Sequence, residues 1–360
     1  MGLLLIVIFF GVALVLISLT PFNETKKSSS PLTFLSVVVC FRDEEQALPS
    51  LLESIQNAIP KTNLILEFIF VDDHSSDASQ TTIAKANIEH SKCFLSNGKG
   101  KKAALRTGVG LANYDHILFL DADVTFSEFY FNEIHNTVNA SAELTVLPAI
   151  PVANQSLLQQ FQALEFLCMS LVSKSVERFR PPLLCNGANL LVQKHAWKEV
   201  VKDLHFGLAS GDDMFLLQAL KKRERKIDSL HAENLRVYFE VEKSVTSFLA
   251  QRTRWGSKAK RYSDCTLLGI AYFMVLSQLA LVTLLFGGLF QKISLTYFLW
   301  SIIALQLILL TLIRPALQKH YSLPNYLFSY VIFPLIYPVY LLVSSSMSVI
   351  KKSTWKGRRV

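Results

Sequence analysis

The residues best suited to chemistry are acidic side chains that follow three short apolar runs, at residues 34–40, 64–71 and 117–120. The clusters that follow are Phe41-Arg42-Asp43-Glu44-Glu45, Asp72-Asp73-His74-Ser75-Ser76-Asp77 and Asp121-Ala122-Asp123. Carboxylates gathered in one place repel one another, so a bound divalent cation is their natural counter-charge. Two aspartates at i and i+2 can offer oxygens to Mg²⁺ or Mn²⁺ while water and phosphate complete the coordination. A single Asp-x-Asp is also typical of a turn or helix cap, but three clusters in order favour a site.

A glycine- and lysine-rich stretch lies between the second and third clusters. It reads Gly98-Lys99-Gly100-Lys101-Lys102-Ala103-Ala104-Leu105-Arg106 and opens a predicted helix. Flexible glycine backbone, a helix N-terminus and ammonium groups together form an anion site. The stretch does not match the Walker pattern GxxxxGKS/T, and no GxGxxG follows a strand, so kinase and dinucleotide-binding functions lose their main support. The alternative is the solvated start of a basic helix.

The elements that must position these residues alternate between short apolar strands and helices. Helices are predicted near 45–58, 77–88 and 101–112. Nearly continuous apolar strands separated by helices are typical of a parallel sheet buried on both faces. In open α/β sheets the ligand lies at the carboxyl ends of the strands, where all three acidic clusters fall. The sequence therefore predicts an α/β domain with its site at one rim of the sheet.

The composition indicates that this domain is attached to a membrane. The chain is 51% hydrophobic and only 18% charged, with a mean hydropathy of +0.33, whereas a soluble domain carries about 25% charge. These figures argue against an ordinary soluble enzyme, and the many aromatic residues exclude a disordered chain. We predict four regions. They are a transmembrane anchor at 1–22, a catalytic domain with an interfacial helix at 32–262, a transmembrane or re-entrant region at 263–350 and a basic tail at 351–360.

The charges flanking the apolar segments indicate which side of the membrane the domain faces. Lys26 and Lys27 follow the first apolar segment and no basic residue precedes it, which places the domain in the cytoplasm by the positive-inside rule. Pro334 and Pro338 interrupt the last apolar segment, so either a third crossing or a re-entrant hairpin fits it. We expect an integral protein of the cell (inner) membrane. The net charge of +8 lies mostly beside apolar segments, which favours phospholipid headgroups over nucleic acid.

The order of these motifs resembles the family 2 glycosyltransferases, over about residues 34–258. The first two acidic clusters are similar to the family's Pro-Ala-Arg-Asn-Glu-Glu and Asp-Asp-Gly-Ser-x-Asp elements, with Cys40 in place of proline. The other matches are Gly100-Lys101-Lys102-Ala103-Ala104-Leu105, Asp121-Ala122-Asp123, Gly187-Ala188-Asn189, Gly211-Asp212-Asp213 in place of Thr-Glu-Asp, and Gln251-Arg252-Thr253-Arg254-Trp255, a complete QxxRW. The resemblance implies the GT-A nucleotide-diphospho-sugar transferase fold, a Rossmann-like mixed sheet, here with transmembrane helices.

The resemblance also implies a role for each matching residue. Asp121 and Asp123 would hold Mg²⁺ or Mn²⁺, and Asp213 would be the general base, with Asp212 as the alternative. The nucleotide-sugar, most simply a UDP-sugar, would be bound by Glu44, Asp73, Lys101, Asp121, Gln251, Arg254 and Trp255. The acceptor would lie at Gly187, Asn189 and Trp255.

The leading hypothesis is an inverting glycosyltransferase of the hexosyltransferase type that acts on a lipid or lipid-linked acceptor. QxxRW also occurs in processive polysaccharide synthases, but three or four apolar segments are few for a translocation channel. A catalytically silent membrane scaffold with this fold is a third hypothesis. Its mark would be loss of the acidic centres, whereas Asp121, Asp123 and Asp213 are all present.

Overall fold

The computed structural model describes residues 28, 30–153, 156–208, 210–290 and 327–350, isolated positions between 304 and 318, and the pairs 354–355 and 358–359. The chain forms two compact units. The strand-rich unit comprises Asn23–Val152 and Arg180–Glu240, and the helical unit comprises Met1–Phe22, Ala153–Phe179 and Val241–Val360. The predicted anchor at 1–22 and most of the predicted tail lie outside the described residues.

A seven-stranded mixed sheet forms the centre of the strand-rich unit. Its strands run in the order β3-β2-β1-β4-β8-β6-β9. They are β1 (Phe34–Phe41), β2 (Ile65–Asp72), β3 (Ser91–Leu95), β4 (His116–Asp121), β6 (Leu144–Val146), β8 (Asn189–Gln193) and β9 (Ile227–Ser229). The first four are mutually parallel, as the alternation of strands and helices predicts, whereas β8 runs antiparallel to β4 and to β6.

Helices cover both faces of this sheet, which explains why its central strands are almost continuously apolar. The helices of this unit are α1 (Leu48–Ala58), α2 (Ser79–Ala86), α3 (Lys101–Leu111), α4 (Tyr130–Thr137), α6 (Lys194–Val200) and α7 (Asp212–Lys222). Gly108 of α3 lies against Val38 and Val71 on one face. The core that α1 and α4 share with Val37 and Phe70 covers the other.

A second, three-stranded sheet completes the strand-rich unit, in the order β5-β10-β7. Its strands are β5 (Val124–Phe126), β7 (Ala149–Val152) and β10 (Val237–Glu240). Because β5 begins three residues after the end of β4, the Asp121-Ala122-Asp123 segment is the turn between the two sheets.

The helical unit contains α5 (Leu157–Val176), α8 (Val245–Gly256), α9 (Cys265–Phe290) and α10 (Leu327–Ile350). The short strands β11 (Thr354–Trp355) and β12 (Arg358–Arg359) pair with each other. An aromatic cluster built on Phe161, Phe248 and Tyr340 joins α5, α8 and α10. In the part of the chain that the structure describes, none of the helices is both long enough and apolar enough to span a lipid bilayer.

Candidate active site

The strand register brings the three acidic clusters to one rim of the sheet. Cys40 of β1 lies beside Asp121 of β4, and Phe41 lies beside Asp72 of β2. Since β1 is hydrogen-bonded to both strands in parallel, the segments that leave their carboxyl ends are neighbours. The predicted convergence of the acidic clusters is therefore confirmed.

Several of these acids hold the rim loops together. Asp43 Oδ1 accepts a hydrogen bond from Ser76 N at 2.7 Å, and Glu45 Oε2 accepts one from Ala78 N at 2.9 Å. In return, Asp77 Oδ2 accepts one from Glu45 N at 3.0 Å. The Ser76 N–H bond is the main cause that holds the pKa of Asp43 below its usual value. These carboxylates cross-link the loops after β1 and β2.

Asp73 anchors the glycine-lysine turn. Its side chain is buried, and Oδ1 accepts a hydrogen bond from Gly100 N at 2.8 Å. Gly100 has φ +97°, a backbone conformation that residues with a Cβ atom rarely adopt. The turn delivers the next residue, Lys101, as the first residue of α3. Asp73, predicted to bind the nucleotide, thus also positions the lysine that faces the rim.

Lys101 links two acidic segments. Its Nζ lies 2.5 Å from Asp121 Oδ1 and 3.7 Å from Asp212 Oδ2. Burial opposes protonation of Lys101, but the charges of Asp121 and Asp212 outweigh it and raise the pKa above its usual value. The ammonium group therefore stays charged between Asp121, the predicted metal ligand, and Asp212, the alternative to Asp213 as base.

The groups around Asp121 suit a hard divalent cation that binds together with phosphate. Burial raises the pKa of Asp123 to about 7, and the charges of Asp121 and Glu44 act in the same direction. The charges of Asp121 and Glu44 are the contribution to this raised pKa that a bound cation would relieve. Within the described residues, no three His, Cys, Asp or Glu side chains form a complete metal cage. Mg²⁺ and Mn²⁺ accept such a partial set, because water and substrate phosphates fill the remaining positions.

The Asp212-Asp213 pair lies at the start of α7, after Gly211 with φ +85°. Asp213 Oδ2 accepts a hydrogen bond from Gly187 N at 3.1 Å. A Cβ at Gly187 would lie 3.3 Å from Asp212 Oδ2, 3.4 Å from Asp213 Cβ and 3.5 Å from Lys101 Nζ. A small pocket adjoins both aspartates, and its apolar wall includes Leu105 and Trp197. Gly187 therefore lies at the point where the two aspartates and Lys101 meet.

Asn189 occupies the core beneath this point. It is fully buried, and Nδ2 donates to Pro148 O at 2.8 Å and to Leu235 O at 2.9 Å. Its Oδ1 accepts from Tyr130 Oη at 2.6 Å. With its side-chain groups bonded in this way, Asn189 secures the backbone that carries Gly187. The acceptor contact that the resemblance implies for Asn189 stays a prediction.

The QxxRW residues belong to the helical unit, on α8. A residue inside the motif, Arg252, is buried there and donates from Nε and Nη2 to Glu165 Oε2 at 2.9 and 2.7 Å. Its Nη1 also donates to Gln251 Oε1, and its Cζ lies 4.3 Å from the centroid of the Trp255 ring. Tyr340 Oη donates to the other Glu165 oxygen at 2.5 Å. The predicted roles of Gln251, Arg254 and Trp255 in substrate binding stay predictions, since these residues and the acidic rim lie in different units.

Two family models match this chain, and together they cover residues 36–343. The model described as Glycosyl transferase family 2 matches residues 36–194, and Glycosyl transferase family group 2 matches residues 116–343, more than half of the chain. The chain belongs to the family 2 glycosyltransferases. The family resemblance expected from the motif order is confirmed.

Similar proteins of assigned function match this glycosyltransferase over a shorter stretch. The undecaprenyl-phosphate 4-deoxy-4-formamido-L-arabinose transferase of Salmonella choleraesuis is 30% identical over 100 residues, which cover 27% of this chain and 31% of that protein. The transferase of the same name from Serratia proteamaculans is 32% identical over 98 residues, covering 26% and 30%. The chain thus spans about a third of the length of these relatives.

A solved structure supports the fold over nearly the whole glycosyltransferase. The mannosyltransferase PcManGT from Pyrobaculum calidifontis, in complex with GDP-Man and Mn²⁺, aligns with a TM-score of 0.61 at 14% identity. The alignment covers 98% of this chain and 96% of that one. The predicted GT-A-type α/β fold with a mixed sheet is confirmed.

Proposed function

We propose that this protein is a metal-dependent, inverting glycosyltransferase that transfers a sugar from a UDP-sugar to a lipid phosphate or another lipid-linked acceptor. The observation that carries the proposal is the meeting of Lys101, Asp121, Asp212, Asp213 and Gly187 at the carboxyl rim of the sheet. This set supplies a cation-binding carboxylate, an ammonium group for an anion and a candidate base within one site.

The donor would lie across the loops after β1, β2 and β4. Glu44 and Asp73 would hold the uridine, and Asp121 and Asp123 would hold Mg²⁺ or Mn²⁺, which neutralises charge on the departing diphosphate. Lys101 would move its ammonium group from Asp121 toward a phosphate oxygen once the donor arrives. Charge on the diphosphate grows as the bond to the sugar breaks, so these contacts stabilise the transition state more than the bound substrate.

Asp213 would act on the acceptor. The acceptor oxygen attacks the anomeric carbon and forms the new C–O bond, while the bond from that carbon to the diphosphate oxygen breaks and UDP leaves. If the acceptor carries a proton, Asp213 takes it, a role worth typically ~10²–10⁴-fold in rate. Attack opposite to the leaving group inverts the configuration of the anomeric carbon. The backbone N–H of Gly187 supports this role, because it holds the Asp213 carboxylate in place.

The lipid nature of the acceptor is inferred from two observations. The relatives named above act, by their names, on undecaprenyl phosphate, a lipid phosphate. In the helical unit, Tyr272, Leu276 and Leu279 form an exposed stripe on α9, and Val339 and Val343 are exposed on α10. Exposed apolar stripes on helices are typical of surfaces that contact lipid or a partner. We therefore propose that the protein works at the cytoplasmic surface of the cell membrane.

A donor and acceptor screen tests this function. Purified full-length protein is incubated with Mn²⁺, undecaprenyl phosphate or total membrane lipid, and a panel of UDP-sugars that also includes GDP-mannose, and the lipid products are read by mass spectrometry. We expect one sugar to be added to one lipid with loss of the nucleoside diphosphate. Long polymer would favour a processive synthase instead. Absence of transfer and of nucleotide release from every donor would favour the silent scaffold.

A further inference from the structure

A second lysine, next to Lys101, is buried against the helix that carries the proposed base. Lysine side chains almost never lie fully inside a protein unless they are paired, yet Lys102 is only 3% exposed. Its Nζ donates to His205 O at 3.0 Å and lies 4.9 Å from the centroid of the Phe215 ring. The proposed reaction does not use this ammonium group directly, so a different role must account for its buried position.

The contacts of Lys102 lie on the segment that leads into the Asp212-Asp213 pair. His205 has φ +50° and its carbonyl also accepts from Leu208 N at 2.9 Å, which closes a turn just before α7. The His205 ring packs edge-on against Phe215 at 4.7 Å between centroids. Phe215 is in the first turn of α7, three residues after Asp212. Lys102 therefore contacts both the turn before the base and the helix that carries it.

Two consecutive lysines thus tie the start of α3 to the start of α7. Lys101 reaches Asp212 Oδ2 at 3.7 Å, and Lys102 reaches the Phe215 ring of the same helix. When Lys101 turns toward a phosphate, its contact with Asp212 is lost, and the contacts of Lys102 would still hold the starts of the two helices together. A cation over an aromatic face and a hydrogen bond to a carbonyl can both persist when Lys101 changes partner.

We infer that Lys102 is a positioning residue, which fixes the distance between Lys101 on the donor side and Asp213 on the acceptor side during sugar transfer. This inference rests on the proposed function, in which Lys101 faces the diphosphate and Asp213 acts as base. A misplacement of about 1 Å in a reacting group can cost ~10²-fold in rate. Lys102 would therefore affect the rate of transfer without touching donor or acceptor.

The test is Lys102→Met in the full-length protein. Methionine keeps the unbranched shape of the side chain, ends one atom short of the ammonium group and removes the buried charge, a change that folding often tolerates. We expect kcat for UDP release, with undecaprenyl phosphate as acceptor, to fall about 10- to 100-fold. Binding of UDP with Mn²⁺, measured by calorimetry, should stay within about threefold, because Lys102 does not contact the nucleotide in the proposed site. Lys102→Arg keeps a charge that can reach the same carbonyl and ring, and should recover most of the lost kcat.

The matched control is Lys92→Met on the exposed surface of β3, which should leave both measurements unchanged. A Lys102→Met kcat within about threefold of wild type overturns the inference, and so does a loss of UDP affinity as large as the loss of kcat. Failure of Lys102→Arg to exceed Lys102→Met also overturns it. The Asp213→Asn variant distinguishes a failure of the proposed function from a failure of the role proposed for Lys102. If that variant keeps full activity, the proposed base is wrong, whereas an inactive Asp213→Asn beside a normal Lys102→Met refutes only the role of Lys102.

Discussion

At the scale of single residues, the site depends on contacts between segments that are far apart in the sequence. Lys101 meets Asp121 and Asp212, and Gly187 donates to Asp213. The partners come from the start of α3, the end of β4, the segment before β8 and the start of α7, so the site forms only when the sheet and α7 are both in place. A side chain at Gly187 would lie next to all three charged residues, Asp212, Asp213 and Lys101.

Replacement of Gly187 by alanine tests this crowding. The new Cβ would lie 3.3 Å from Asp212 Oδ2, so the carboxylate must shift by a few tenths of an ångström. We expect at least about a tenfold loss of kcat with little change in the unfolding midpoint. The control is Gly110→Ala, since a Cβ at Gly110 meets nothing within 4 Å. Equal activity of both variants would show that Gly187 does not border the reacting groups.

Some residue contacts followed from the sequence and others did not. The neighbouring positions of Asp121 and the first acidic cluster follow from parallel strands of similar length, each ending in acids. The hydrogen bond from Gly100 N to Asp73 could not be predicted, because the sequence does not show whether an acid at a strand end binds a ligand or a backbone N–H. The pair of Glu165 and Arg252 was missed because 87 residues separate them and nothing in a single sequence links them.

At the scale of elements, α3 shows how closely a helix can lie on the sheet. Gly108 and Gly110 are two residues apart on the same helix, but only Gly108 faces the sheet, against Val38 and Val71. The sequence predicted the helix from residue 101 to 112, close to the observed Lys101–Leu111. It did not predict which glycine allows the close approach, because both stand in a similar local sequence.

The two glycines give opposite predictions. Gly108→Ala places a methyl group inside the contact distance of Val38, so it should destabilise the protein by about 1–3 kcal/mol. Gly110→Ala meets open space and improves helix propensity, so it should stabilise by up to ~1 kcal/mol. Urea unfolding followed by circular dichroism measures both. Equal shifts in the two variants would mean that α3 does not pack on the sheet through Gly108.

The ion pair between α5 and α8 carries a second prediction at this scale. Glu165→Ala leaves the Arg252 charge buried without its partner, so it should destabilise the protein by about 3–5 kcal/mol. Removal of both charges, with Glu165→Leu and Arg252→Met, should recover most of that loss. The control is Glu128→Ala, which breaks a half-exposed pair with Lys61 at 3.9 Å and should cost less than about 1 kcal/mol. An unfolding midpoint of Glu165→Ala equal to that of Glu128→Ala would contradict the buried pair.

At the scale of the whole molecule, the two units contain different candidate functional residues and surfaces. The strand-rich unit holds the acidic rim, Lys101 and the Asp212-Asp213 pair, and the helical unit holds the QxxRW motif and the exposed apolar stripes. The boundary between the two units is visible in the sequence only near residue 263, where the α/β alternation changes to long apolar helices. The insertion of residues 153–179 into the helical unit was not predicted, because α5 reads as a core helix of either unit.

We propose that the rim of the strand-rich unit transfers sugar with a metal at Asp121 and Asp123 and a base at Asp213. The most direct test measures UDP release and lipid product by wild type, Asp123→Ala and Asp213→Asn, each with undecaprenyl phosphate, the best UDP-sugar of the screen, and Mn²⁺ or EDTA. We predict that EDTA or Asp123→Ala reduces transfer at least about 100-fold while the unfolding midpoint stays unchanged. Asp213→Asn should reduce transfer as much wherever the acceptor oxygen carries a proton that the base must remove. Wild-type rates in both variants, or full activity in EDTA, would contradict the account.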